Sequence, residues 1–556
     1  MSAPPHVDSA SPVEPGHPGH PDPAGSAQPG HPTGPGYLAG AEHVVLPTHD
    51  DALVSGLSDG IGGPVGRHAA IGARRSWWTP LRVIVALAVV FSVLGWVQKL
   101  PCRDTSNWNH QLQYTTLCYS DQIALYSAEG LSSGKRPYLD YPVEYPVLIG
   151  GFMEVASLVA KLSTPSHLEG GAFTGDGQAA TFFDVSTLLM AVAVVVTALC
   201  TARTAGPRPW DGAIVAAAPA VILFLGTNWD MAAVAFASAG ILAWARKRHA
   251  LAGVLLGLGV ATKMFPALFL LPLFVLCLRA ARLRAWFAAA ASTVLTVALI
   301  YIPVYVTASA FRQEGNTFVK IDGSSAWHAL TTRGFGAFFS ALAPHHDGGL
   351  NGAARFFTLN IERVADWGSL PLALEHVLNT QFEYPVLNRA TQIIFIVLFL
   401  GIAGLILLAP RRPRVGQVLF LTVVAFMITN KVYSPQYALW LLPLVALARP
   451  RWRDALIWQG SELLTLIATH LHLAYISDGA TAGVTRGWLA GAVTLRDLVL
   501  VWLSALVIRD VLRPRNDPVR ASAPVDDPAG GVLDGAPDAG WLRSPPVPWP
   551  APSGAG

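Results

Sequence analysis

Twelve apolar stretches divide this chain, at 81–99, 181–202, 212–226, 231–245, 250–264, 266–278, 285–309, 389–409, 415–429, 437–448, 455–475 and 488–508. About 20 apolar residues cross a bilayer core, and fewer suffice where the membrane thins or neighbours cover the ends. Several of the stretches are short and only a few residues apart, as in re-entering hairpins packed inside a bundle. Only 13% of the 556 residues are charged, whereas a soluble domain carries about 25%. An ordinary soluble enzyme is thereby excluded. The expected fold is an all-α polytopic membrane protein with about 12 transmembrane helices. The net charge of +3 and the absence of a basic stripe argue against nucleic acid as a partner. Four cysteines are too few for a disulfide scaffold.

Residues 1–76 are rich in Pro, Gly and His, with no sustained apolar period, and read as a disordered tail. The stretch 514–556 reads the same way, which leaves 77–513 as the membrane domain. His6, His17, His20 and His31 have irregular spacing and suit a flexible tail better than a metal site.

Orientation follows from Lys and Arg in the short connections. Basic clusters recur at Arg74/Arg75/Arg82, Arg203/Arg208, Arg246/Lys247/Arg248, Arg279/Arg282/Arg284, Arg411/Arg412/Arg414, Arg449/Arg451/Arg453 and Arg509/Arg513/Arg515. They fall at every second connection. Those connections and both termini are therefore expected in the cytoplasm, with the long loops 100–180 and 310–388 outside. Residues 143–163 look long enough to span, yet counting them as a crossing reverses every later cluster. They are expected as an amphipathic or re-entrant helix on the outer face. Cys102 and Cys118 share the first outer loop, where an oxidising compartment favours a local disulfide over two free thiols. Cys200 and Cys277 read as small packing residues.

Ionisable groups at a helix centre cost about 2.5–3.5 kcal/mol each on insertion scales, so they need a partner or a task. Here such groups, with the polar Asn228 and Gln436, gather at the expected outer ends of the spans: Asp121, Asp140, Glu144, Asp230, Lys263, Lys431 and Tyr433. This asymmetry points to a polar cavity at the outer membrane boundary. In the first outer loop, Asp121 begins a short surface helix, and a turn leads to Tyr138, Asp140, Glu144 and Tyr145-Pro146. Two carboxylates on an aromatic-rich loop suit a general base and a sugar-orienting group. A loop held by salt bridges to Lys135 and Arg136 is an equal alternative. Asn228 and Asp230 occupy a polar turn, where Asp230 could cap the next helix as well as line a cavity. Lys263 ends an apolar helix, positioned either to meet a phosphate as a point charge or to snorkel to the interface. Lys431 is a second phosphate candidate. The larger outer loop adds His328, Arg333, His345, His346 and Asp347. No reliable metal-ligand spacing occurs, so neither a metal nor another cofactor is expected. His470 and His472, two apart on a span, read as packing residues.

These motifs together resemble the GT-C integral-membrane glycosyltransferases. They comprise the loop aspartate with D-x(4)-Y, the Tyr-Pro helix, the N-x-D turn, the K-x-x-P helix and the late K-x-Y-S-P-Q-Y boundary. The similarity covers most of 80–510 and is closest to glycosyltransferase family 87, the polyprenyl-phosphate-mannose-dependent mannosyltransferases. This chain has Tyr145-Pro146-Val147 where that family usually has Tyr-Pro-Pro. The resemblance implies a GT-C bundle with an early outer helix that does not cross, and a catalytic base at Asp121. It further implies a polyprenyl-phosphate sugar donor, of mannose or arabinose, and inversion by direct displacement. Lys263, Lys431 and Arg333 would steady the leaving phosphate, and the acceptor would be an envelope glycan or glycolipid at the outer face of the plasma membrane. A lipid donor also accounts for the absence of a nucleotide-binding motif. A secondary transporter or flippase is the rival reading. It favours internal repeats and midplane sites, and the chain shows neither.

Overall fold

The computed structural model describes residues 44–61, 78–103, 111–163, 175–315, 317–477, 483–522 and 525–540. The tail histidines and the Arg74/Arg75 cluster lie outside these residues.

Every expected apolar stretch forms helix. Five helices are long and apolar enough to cross a membrane: Pro80–Arg103, Gly177–Thr204, Leu283–Thr307, Tyr384–Leu408 and Arg486–Leu512. The other expected spans are shorter helical segments, Pro209–Phe224, Asp230–Ala245, His249–Thr262, Phe265–Arg279, Val415–Thr429 and Pro435–Ala448. The 26-residue helix Trp452–Ser477 completes the set. The short segments are the most buried. Every residue of Ala438–Ala448 is buried, for example, whereas Tyr384–Leu408 turns most of its surface outward. A short helix surrounded by protein has its ends covered by neighbours, which a lipid-facing helix of that length would lack.

Small residues set the closest helix contacts. A Cβ at Gly253 would collide with the Ala289 carbonyl, and one at Gly257 with Thr296. Thr293 Oγ1 donates to Gly253 O at 3.0 Å across the same seam. Close backbone approach through glycine is the usual means of helix association where no hydrophobic drive exists.

The region expected to lie outside the crossings is partly folded. Helix Val147–Ser163 packs on the long helix Gly175–Thr204. Its first turn is fixed by Tyr138, whose hydroxyl donates to Tyr145 O and Pro146 O, and whose ring fills the space a Cβ on Gly150 would need. The second loop builds an antiparallel sheet in the order β2-β1-β4-β3 from β1 (Ala310–Glu314), β2 (Thr317–Ile321), β3 (His345–His346) and β4 (Gly349–Asn351). Sequence reading in terms of helices alone misses this small sheet.

The expectation of disorder fails for parts of both tails. Residues 44–61 form helices Pro47–Asp50 and Ala52–Ile61, anchored by an Asp50–Arg208 ion pair at 2.7 Å and by Trp452 N donating to Asp51 Oδ2 at 2.9 Å. Much of 514–540 is packed across the arginine-rich end of the bundle. Arg414 and Asp517 are both buried and form a bidentate pair at 2.7 and 2.9 Å. Asp538 pairs with Arg279 at 2.7 Å and with Arg412 at 3.0 Å, while Trp244 Nε1 donates to Gly530 O. Ala529 and Leu533 join the main core. The physical reason is pairing: buried arginines need carboxylates, and this Pro/Gly-rich segment supplies Asp517, Asp526 and Asp538 at matching places. Its composition alone hides that complementarity.

Candidate functional site

Asp121 begins helix Asp121–Ala128, and the approach to it is held from several sides. Lys99, buried near the end of the first long helix, donates its Nζ to Leu117 O and Tyr119 O, each at 3.1 Å. A disulfide joins Cys102 to Cys118. The polar turn at 226–230 then receives the same strand. Ser120 Oγ donates to Gly226 O at 2.6 Å, Asp121 N to Thr227 O at 2.8 Å, and Gln122 Nε2 to Asn228 O at 3.0 Å. Two motifs more than a hundred residues apart thus become one unit.

Within that turn Asp230 is the first residue of helix Asp230–Ala245, not its cap. Asn228 Oδ1 accepts from Asp230 N at 2.9 Å, which frees the Asp230 carboxylate. That carboxylate is fully buried, with Lys263 Nζ 2.8 Å from Oδ1 and Trp440 Nε1 donating to Oδ2 at 2.9 Å. Lys263 also lies over the rings of Tyr145 and Tyr437, 5.2 and 5.7 Å from their centroids, where cation–π attraction adds to the ion pair. Pro266 follows Lys263 closely and opens a 3-10 segment, Phe265–Phe269, that stacks Phe265 on Trp440 at 4.4 Å.

These elements wall one side of a cavity of about 1080 Å³. Asp121, Glu144, Tyr145 and Lys263 line it, together with Lys431, Tyr433 and Gln436 from the connection after helix Val415–Thr429. Asn228 and Asp230 stand behind the wall and support it. Asp140 and Arg333 do not line it. Asp140 is tied to Arg136 at 2.7 Å and Lys320 at 2.8 Å, and Arg333 pairs with Asp347 at 3.4 Å. Both belong to the framework of the loops. Lys135, the other loop cation, lies over the Tyr141 ring instead.

The cavity also recruits residues that sequence reading passed over. Arg363, Asp366 and Trp367 come from the connection after helix Arg355–Glu362. Asp366 N donates to Lys431 O at 2.9 Å, and Lys431 Nζ to Ile361 O at 2.9 Å, so this connection and the Lys431 segment form one wall. Among the described residues, neither Arg363 nor Lys431 has an acidic partner within ion-pair distance. Tyr114, Tyr119 and His470 close another side; His470 lines the cavity while its Nδ1 bonds to Leu466 O. His472, two residues on, turns to Val484 O. Nothing in the spacing of Arg363 marks it, because it lies in a loop of ordinary composition. Phe356, Phe357, Phe395 and Phe426 make a further part of the lining apolar. Among the described residues, no group of three or more His, Cys, Asp or Glu gathers closely enough to hold a metal ion.

The loop carboxylates feel different environments. Burial pushes Asp121 up to about 6, opposed by a hydrogen bond with Tyr119 and reinforced by repulsion from Glu144. Tyr145 OH also points at Asp121 Oδ2, at 3.4 Å. Glu129, buried with Arg355 3.9 Å away, is pushed by burial to about 8. Asp140 is held well below the usual carboxylate range, chiefly by its hydrogen bond from Arg136. Lys431 is lowered to about 8, by burial first and then by the neighbouring Arg363 charge. Lys431, Arg363 and the ion-paired Lys263 therefore line one space together with the Asp121 carboxylate. A membrane-embedded helical bundle with such a cavity is suited to group transfer from an anionic, partly apolar donor.

The model of glycosyltransferase family 87 matches residues 172–435, so this part of the chain is similar to that family. No relative among curated proteins matches the chain. The matched range contains the Asn228–Asp230 turn, Lys263, Arg363 and Lys431, whereas Asp121 precedes it.

Proposed function

We propose that the protein transfers a mannosyl or arabinosyl residue from a polyprenyl-phosphate donor to an envelope glycan or glycolipid at the outer face of the plasma membrane. The single observation that carries this reading is the pairing of Asp121 with the Arg363–Lys431 wall around one cavity that also has an aromatic, apolar part. A sugar phosphate on a lipid needs those three surfaces: a base, an anion site and a place for hydrocarbon.

In this reading the reaction is a single displacement. Asp121 accepts the proton of the acceptor hydroxyl as its oxygen bonds to the anomeric carbon. The bond from that carbon to the phosphate oxygen breaks, and the polyprenyl phosphate leaves with the electron pair. Its growing charge is met by Lys431 and Arg363, with Lys263 contributing less because Asp230 already neutralises it. The configuration inverts. Glu144 and Tyr145 flank Asp121 and orient the sugar, and Gln436 and Tyr433 complete the polar lining. Asp140 and Arg333 act only through the loops they brace.

Sidedness rests on the positive-inside rule. The arginine clusters that the 514–540 segment binds together lie at the cytoplasmic end, which puts the cavity and the sheet outside. Purified protein supplied with a panel of polyprenyl-phosphate sugars and radiolabelled acceptor membranes tests the chemistry; failure to use any lipid-linked sugar overturns it. Maleimide labelling of His345→Cys and Arg453→Cys in intact cells tests the orientation. Labelling is expected at 345 and not at 453, and the reverse pattern overturns the sidedness.

A further inference from the structure

The wall that carries the two unpaired cations is made of two connections from distant parts of the chain, residues 363–369 and 430–437. Residues 363–369 are irregular, and 430–437 end in the 3-10 turn Pro435–Tyr437. Their seam is tight, because a Cβ on Gly368 would collide with the Tyr433 carbonyl oxygen. One buried guanidinium touches both sides of it. Arg496, from helix Arg486–Leu512, donates Nη2 to Gly368 O at 2.9 Å and lies 3.4 Å above the centroid of the Tyr433 ring. Asp497 Oδ1 anchors the guanidinium, accepting from Nε at 3.0 Å and Nη2 at 2.7 Å. From the other side Glu462 Oε1 accepts from Tyr433 OH at 2.6 Å and from Trp458 Nε1 at 3.0 Å. Arg496, Glu462, Trp458 and Tyr433 are all buried.

So much ionic and aromatic machinery at one seam is more than ordinary packing of a helix needs. Buried charges are costly unless fully matched, and they are most useful where they fix one arrangement among several. We infer that Arg496 is a positioning residue for donor binding, holding the Gly368 and Tyr433 connections in register so that Arg363 and Lys431 face the same anion. Arg496 itself does not line the cavity. It acts through the wall. A planar guanidinium can stack on a ring and bond sideways to a carbonyl at once, which a lysine ammonium cannot. The inference rests on the anionic-donor reading above.

The test compares steady-state kinetics of Arg496→Lys, Lys431→Ala, Arg363→Ala and the Arg496→Lys/Lys431→Ala double variant in detergent, with a polyprenyl-phosphate sugar as donor. For Arg496→Lys, donor KM should rise about tenfold while kcat stays within about twofold and acceptor KM is unchanged. In the Lys431→Ala background the same change should add little, because the group it positions has gone. Gly368→Ala, which forces the seam apart while residue 496 stays arginine, should reproduce the rise in donor KM and covers the case in which Arg496→Lys does not fold. An unchanged donor KM in Arg496→Lys or Gly368→Ala, or fully multiplicative effects in the double variant, overturns the positioning role. If instead Lys431→Ala and Arg363→Ala leave donor KM unchanged, the anion-wall reading fails, and the positioning role falls with it.

Discussion

Lys263 and Asp230 form an ion pair at 2.8 Å, with Asp230 fully buried and its other oxygen bonded to Trp440. The lysine that the sequence marks for a phosphate is thus already matched by Asp230, the acid expected both to cap a helix and to line the cavity. Removing one partner of a buried pair leaves an uncompensated charge and typically costs about 3–5 kcal/mol, whereas replacing both is much milder. Lys263→Ala is therefore expected to lower the melting temperature in detergent sharply. The Asp230→Asn/Lys263→Met double variant should recover most of the loss. Equal melting of the single variant and wild type would show that the pair does not stabilise the fold.

Asp121 titrates near 6, so transfer should fall as the pH drops through that value and the base becomes protonated. The stability effect has the opposite sign. A carboxyl whose folded pKa lies above its unfolded one opposes folding once ionised, an opposition absent at low pH and complete above about 6. Asp121→Asn is expected to abolish transfer while keeping or raising thermal stability at neutral pH. A variant that retains full activity removes Asp121 as the base.

Glu129 is held mainly protonated at neutral pH by burial. Glu129→Gln preserves its shape and its neutral state, and should change activity and melting little. Glu129→Ala opens a cavity beside Arg355 and the Glu144 backbone and should cost about 1–3 kcal/mol. Equal effects of the two variants would contradict the protonated state.

The Cys102–Cys118 bond closes a loop 16 residues apart, just before Asp121. Loop closure of that size contributes about 3 kcal/mol in the chain-entropy account. Cys102→Ser, or reduction of the wild type, should lower the melting temperature and depress transfer. Insensitivity of both readouts to reductant would contradict an anchoring role.

Arg414 is buried against Asp517, and its guanidinium also donates to Leu447 O and Ala448 O. Truncation after residue 513 strands that charge and should cost about 3–5 kcal/mol. Truncation after 540 removes none of these partners and should cost less. If the two truncations melt alike, the 514–540 segment adds nothing to the fold.

Much of the architecture was legible because its causes are local. Runs of apolar residues dictate helices in a bilayer, since every backbone polar group there must be satisfied within its own segment. The alternating arginine clusters mark connections that the structure does gather, through the aspartates of residues 50, 517 and 538. Polar residues at helix boundaries likewise announced a cavity, and most of them line it or back its wall. Asp140 and Arg333 were the exceptions. Their residue types fit the chemistry, but each found a nearer loop partner of opposite charge. Arg363, Arg496 and the folded parts of the tails gave no signal, because their roles depend on partners many residues away in the chain. What the chain alone determined was the helices and their polar ends; partner choice among the charges was decided only by tertiary packing. A charge carries no record of its counterpart along the sequence, and in a low-dielectric interior the counterpart determines whether it braces the fold or remains available to a substrate.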